Sequence, residues 1–162
     1  MSVPATKKSA LRRFDSPEQE AFLSLWRTYD RLRALEDEVF GRHGLTAQQY
    51  NALRLLRGTH PEPLPTLVIA ARLISRAPDI TRLLDRLEQR GLVTRARPPG
   101  DRRTVHVGIT EAGHELLRSL DVEVRDCHER QLGHLKPAEL RSLIELLRAA
   151  RRPHEPPGRE WS

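Results

Sequence analysis

At 162 residues, with 31% of them charged and a formal net charge of +6, the chain is long enough for one domain with a modest core, or for one domain plus extensions that make an oligomer interface. One cysteine excludes an internal disulfide framework. No apolar run approaches the roughly 18 residues that cross a bilayer, and residues 1–15 lack an apolar signal-peptide core, so a cytoplasmic protein without membrane contact is expected.

Residues 1–15 carry Lys7, Lys8, Arg12 and Arg13 with little apolar content and read as a solvated basic tail, with a DNA-contacting arm as the alternative. Ser16-Pro17-Glu18-Gln19 then supplies an N-cap, a proline at the first helical position and a capping-box glutamine. The long helix that follows carries Phe22, Leu25, Trp26, Tyr29, Leu32, Leu35, Val39 and Phe40 at spacings of three and four, until Gly41 and Gly44 end it. Thr46 and Gln49 repeat the capping box, Leu45 can staple against Tyr50, and Leu53 and Leu56 carry a buried stripe towards Gly58. His60-Pro61-Glu62-Pro63-Leu64-Pro65 reads as a loop, because each proline removes a donor and restricts the residue before it. Thr66 is expected to cap a short helix, Leu67 to Leu73, the first member of a helix-turn-helix.

The stretch from Leu73 to Gly113 is the most informative. Ser75 is the expected N-cap of a helix of about four turns, with Pro78 in its first turn and Ile80, Leu83, Leu84 and Leu87 as its buried stripe. Pro78, Thr81, Arg82, Asp85 and Gln89 face the other way, and Arg90-Gly91 forms the C-terminal stop. Beyond it, Leu92 to Arg97 is β-permissive, Pro98-Pro99-Gly100-Asp101 is dense in turn residues, and Val105, Val107 and Ile109 alternate with His106 and Gly108. This predicts a two-stranded ribbon with a basic tip. Residues 72–103 contain nine arginines against four acids, so one fifth of the chain carries five of its six surplus charges. Such clustering on one unit is the electrostatic footprint of a phosphate-binding surface.

After the ribbon, Thr110 is expected to cap a long helix with Leu116, Leu117, Leu120, Val124 and Cys127 on its apolar face, ending near Gly133. Pro137 begins another, with Leu140, Leu143, Ile144 and Leu147, although Lys136 is a poor cap. From Arg151 the chain has no periodicity and reads as a loose tail.

The run Asp85-Arg86-Leu87-Glu88-Gln89-Arg90-Gly91-Leu92-Val93, followed by Asp101-Arg102-Arg103 and Ile109-Thr110-Glu111-Ala112-Gly113, resembles the signature of the MarR family of winged helix-turn-helix transcriptional regulators. The similarity extends more weakly from about Ser16 to Arg148. The expected fold class is mainly α with a small antiparallel β wing, divided into a tail at 1–15, a domain at 16–150 and a second tail at 151–162. Within the domain, 45–110 would be the DNA-binding lobe, and 16–44 and 111–150 the dimerisation helices. The resemblance implies a homodimer, and two recognition helices about 34–36 Å apart would read a palindrome.

Site roles follow from the residue chemistry and the resemblance together. The start of the Ser75 helix would enter the major groove with Ala77, Pro78, Asp79, Thr81 and Arg82 nearest the base edges: Arg82 suits guanine, Asp79 a cytosine amino group, and the methyls of Ala77 or Thr81 a thymine. Arg72, Arg76 and Arg86 suit phosphates. The resemblance implies that Arg102 or Arg103 enters the adjacent minor groove, while the other pairs with Asp85 or Asp101. It further implies a small aromatic or phenolic effector, for which Trp26, Tyr29, Phe40, His43 and Tyr50 are candidate contacts, core or interface packing being the other reading of the same aromatics. Cys127 reads as a buried small hydrophobe rather than a redox sensor. His106 with His114, or Cys127-His128 with His134, lacks the i,i+4 spacing that aims two imidazoles at one ion, so neither a metal nor another cofactor is expected.

Together these features predict a sequence-specific regulator that binds double-stranded operator DNA. The rival is a sequence-nonspecific architectural nucleic-acid-binding protein, against which the mixture of Asp79, Thr81 and Arg82 argues. An enzyme is not expected, because no phosphate loop, HExxH or nucleophile elbow is present.

Overall fold

In the computed structural model, which describes residues 14–74, 79–101 and 103–155, helix α1 (Pro17–Arg42) opens the chain. Its first turn is closed by Ser16, whose Oγ accepts the Gln19 N–H at 3.1 Å. The Gln19 side chain reaches back one residue further than a capping box requires, accepting from the Asp15 N–H at 2.7 Å. At the other end the Leu45 N–H bonds Phe40 O and the Gly44 N–H bonds Gly41 O, with Gly44 at φ 64°. That is a Schellman stop, and it needs the left-handed conformation that glycine adopts without a Cβ clash.

Two units divide the chain, one ending at Ala34 and the other beginning at Leu35. In the first, α1 leaves Phe22, Leu23, Leu25, Trp26 and Tyr29 exposed, with the Phe22 and Trp26 rings edge to face at 6.1 Å. The second contains the core. Here α2 (Ala47–Thr59) begins with the expected reciprocal box, in which Thr46 Oγ1 accepts the Gln49 N–H at 3.2 Å and Gln49 Oε1 accepts the Thr46 N–H at 2.9 Å. Its buried side chains include Tyr50, Ala52, Leu53 and Leu56.

Two expectations are corrected between α2 and the next helix. The proline-rich loop contains a strand, β1 (Leu64–Pro65), which pairs antiparallel with β3 (His106–Ile109) through Leu64–Val107 and Pro65–His106. A proline is tolerated there because β1 is an edge strand. Helix α3 (Thr66–Arg72) then has Pro65, not Thr66, at its cap position, and the Thr66 hydroxyl donates to Val105 O at 3.2 Å instead of capping. The ribbon is accordingly a three-stranded sheet in the order β1-β3-β2, where β2 is Val93–Ala96 and pairs with β3 from Val93–Ile109 to Ala96–His106.

Helix α4 (Ile80–Gln89) buries Leu83, Leu84 and Leu87 against α2, α3 and β2. Its C-terminus repeats the Schellman device: the Leu92 N–H bonds Leu87 O, the Gly91 N–H bonds Glu88 O, and Gly91 sits at φ 68°. α5 (Glu111–Leu132) follows the sheet, with Thr110 Oγ1 accepting the Gly113 N–H at 3.1 Å and Gly133 as its C-cap. Leu117, Leu120 and Cys127 face the core, as the periodicity predicts. α6 (Pro137–Arg151) has no side-chain cap from Lys136, but Glu139 accepts the Lys136 N–H at 2.7 Å, and no residue of this helix is buried. Among the described residues no helix is long and apolar enough to cross a membrane.

The glycine at the end of the Ile109–Gly113 run has a packing reason. A Cβ on Gly113 would lie 2.4 Å from Leu92 O and 2.7 Å from Ile109 Cγ1, so α5 could not start this close to the sheet with any larger residue. Gly113→Ala is expected to lower stability by about 1–3 kcal/mol through overpacking against backbone. The midpoint of urea unfolding measures it, and an unchanged midpoint would show that α5 can slide outward freely.

Candidate nucleic-acid interface

The reading surface grows from how α4 is held. Asp79 is its N-cap, with Oδ1 accepting the Arg82 N–H at 2.9 Å. The helix so capped has 10 residues, shorter than the predicted four turns, and Ser75, the expected cap, lies outside the described residues together with Arg76, Ala77 and Pro78. With Leu83, Leu84 and Leu87 buried, the helical period turns Thr81, Arg82 and Arg86 outward, and all three are exposed. Arg72 is exposed in the last turn of α3.

The wing contributes from the other side. Asp101 organises its turn: Oδ1 accepts the N–H groups of Arg103 and Thr104 at 2.9 and 3.2 Å, and Gly100 takes φ 88°. Hydrogen bonds from Thr104 and then from the Arg103 backbone hold the Asp101 carboxyl below its usual range, so it is a carboxylate at neutral pH. Arg103 is exposed, and Arg102 lies outside the described residues. Thr81 and Arg103 border one cleft of about 240 Å³, together with Leu67 and Arg95. Asp79, Arg82 and Arg86 border another of about 220 Å³ against Thr46, Gln48 and Gln49 at the start of α2. The helix face and the wing are therefore adjacent.

One wing-tip arginine is expected to pair with Asp85 or Asp101; among the described residues Asp85 is met by Arg95, in the middle of β2. Arg95 Nη1 lies 2.7 Å from Asp85 Oδ1, while Nε donates to Glu88 Oε2 at 2.9 Å. The Arg95 hydrogen bond lowers the Glu88 pKa, and Glu88 in turn raises that of Arg95. All four acids of the stretch thus have structural duties: Asp79 and Asp101 cap, and Asp85 and Glu88 hold Arg95. Arg72, Arg82, Arg86, Arg97 and Arg103 are left at the exposed surface.

Arg90 and Arg95 are the residues the sequence reading missed. Arg90, just beyond α4, donates to the carbonyls of Gly44 at 2.8 Å and His43 at 3.0 Å and so ties the end of this helix to the α1–α2 corner. The strand period could have flagged Arg95, since it shares a sheet face with the buried Val93.

The effector candidates fall in both units. Trp26 and Tyr29 are exposed on the first. In the second, Phe40 and Tyr50 are buried and stacked at 4.4 Å with an interplanar angle of 23°, and burial raises the Tyr50 pKa. His43 Nε2 lies 2.8 Å from Glu123 Oε1 on α5, and this contact, followed by the charges of His43 and Arg42, depresses the Glu123 carboxyl. Burial pushes the Cys127 thiol up, away from the thiolate form, in keeping with a packing role. The described residues hold no cluster of three metal-ligating side chains.

A short helix pair whose second member bears exposed arginines, followed by an antiparallel wing, defines a winged helix-turn-helix protein. The MarR family model matches residues 45–105. The chain is 61% identical to a MarR transcription factor of Planctomyces limnophilus of known structure, covering 83% of this chain and 98% of that one with a TM-score of 0.68. It is 33% identical to the HTH-type transcriptional repressor NicR of Pseudomonas putida, over 83% of this chain and 84% of the relative. A structure of Bordetella bronchiseptica BpsR, whose DNA binding is regulated by 6-hydroxynicotinic acid, is 26% identical with a TM-score of 0.74, covering 85% of this chain and 96% of that one. The chain belongs to the MarR family of transcriptional regulators.

Proposed function

We propose that this protein is a homodimeric, sequence-specific repressor that binds a palindromic double-stranded DNA operator and is released from it by a small aromatic or phenolic effector. The observation that carries this reading is the division of labour in residues 72–103, where every acid is engaged in holding the fold and Arg72, Arg82, Arg86, Arg97 and Arg103 stay exposed. A surface so arranged attracts phosphates over its whole extent, while Thr81 and Arg82 give it groups able to distinguish base edges. Arg72 and Arg86 serve phosphates, and Arg103 or Arg102 reaches the minor groove. Ser75, Arg76, Ala77 and Pro78 complete the helix-side contacts.

Two further supports come from relatives and from packing. BpsR is a regulated DNA binder at similar length, which favours an effector for this chain, with Trp26, Tyr29, Phe40, His43 and Tyr50 as its candidate contacts. The exposed aromatic face of α1 supports a second copy as partner.

Selection of sites from random duplex DNA at about 0.15 M salt tests the reading, because phosphate attraction is then screened and base contacts must decide. A palindrome with half-sites one turn apart is expected. On that duplex, Arg82→Ala should cost about 1–3 kcal/mol and relax preference at one position, while Arg72→Ala should weaken all sequences alike and lower the salt slope by about one. Tight binding with no enriched motif would favour an architectural protein instead.

A further inference from the structure

We propose that Arg95 is a positioning residue: it fixes the wing against α4, so that the wing tip and the recognition helix meet one duplex as a rigid pair. This rests on the DNA-binding reading above and assigns a function to a side chain that need not touch DNA. Arg95 lies in the middle of β2, opposite Val107, and is turned to the same sheet face as the buried Val93. From there the flat guanidinium spans two carboxylates one helical turn apart on α4. Nη1 meets Asp85 Oδ1 at 2.7 Å, and Nε and Nη2 both donate to Glu88 Oε2, at 2.9 and 2.5 Å. The Arg95 side chain is 26% exposed, against 43% for Asp85 and 39% for Glu88, so the clamp draws on its forked geometry rather than on buried charge.

Leverage gives the contact its importance. The turn at Pro99-Gly100 lies up to roughly 15 Å of extended chain beyond Arg95. An angular slack of about 10° at Arg95 would therefore move the tip by about 2.6 Å, enough to lift it out of hydrogen-bond range. Asp101 does not substitute for the clamp, since its bonds from the Arg103 and Thr104 N–H groups close the turn on itself. A lysine could not substitute either, because a single ammonium lacks the fork that meets two acids at once.

The test is a double-mutant cycle on the selected operator, with Arg95→Ala and the joint tip change Arg102→Ala plus Arg103→Ala measured separately and together. Arg95→Ala is expected to lower affinity about tenfold and to have little further effect once both tip arginines are gone, the non-additivity of residues that act through one element. Hydroxyl-radical protection should fade in the minor groove while major-groove methylation protection persists. Arg95→Lys should share the defect. Additive losses, or full affinity in the lysine variant, overturn the positioning role. If Arg95→Ala does not fold, the cycle with Glu88→Gln in its place decides by the same criterion. Wild-type protein with no preferred duplex would sink the DNA reading itself and this proposal with it, whereas a specific wild type with additive losses sinks the positioning role alone.

Discussion

Replacing Phe22 and Trp26 together by serine is expected to yield a monomer that binds the palindrome about 10²–10⁴-fold more weakly while keeping its affinity for an isolated half-site. Phe22, Leu25, Trp26 and Tyr29 recur at i, i+3, i+4 and i+7 on α1 and are 61, 48, 63 and 56% exposed in the single chain. An aromatic stripe of that kind left in water is unfavourable, at roughly 25 cal/mol for each Å² of apolar surface, and the proposed second copy would remove it. Once two recognition helices are joined, the second half-site is bound within one molecule, and the joint affinity exceeds either alone without any new DNA contact. Equilibrium sedimentation and binding to full and half operators measure the two effects. A double variant that still sediments as a dimer would show that the stripe is not the interface.

The second large effect is expected in the core. Leu87→Ala should cost about 2–5 kcal/mol, the range for a buried leucine whose neighbours close only partly over the cavity. Leu87 is fully buried on α4, the helix packed against α2, α3 and β2, so the loss falls where the reading face is held. Against a total of about 5–15 kcal/mol for a typical domain, it removes a large fraction of the stability. Arg86→Ala, one residue away but exposed, should move the unfolding midpoint by no more than about 0.5 kcal/mol. Similar shifts for the two variants would contradict the burial pattern.

What the sequence disclosed and what it withheld follow the range of the forces involved. The capping box at Thr46 and Gln49, the stop at Gly91, the cap at Thr110 and the stripe Leu83-Leu84-Leu87 are settled within a few residues, and all appear as expected. β1 was hidden because its pairing with β3 joins Leu64 to Val107, a partner far along the chain, while its prolines argue locally against a strand. Thr66 was misassigned for the same reason: its hydroxyl is taken by Val105 O, which no local pattern announces. In the candidate site the exposed arginines were legible from helical period and charge count. The partner of Asp85 was not, since an acid beside several arginines can choose among them only once the sheet is in place, and among the described residues it takes Arg95 from β2.

The two outer strands of the sheet bear on how copies of this protein meet. An open sheet edge is a template on which another chain can add a strand, the usual start of edge-to-edge aggregation. β1 offers two residues, one of them a proline with no N–H to give, and β2 offers four before Arg97-Pro98-Pro99 ends it. Neither edge is long enough to template a stranger, so the wing can present its basic side chains to a duplex without recruiting other wings.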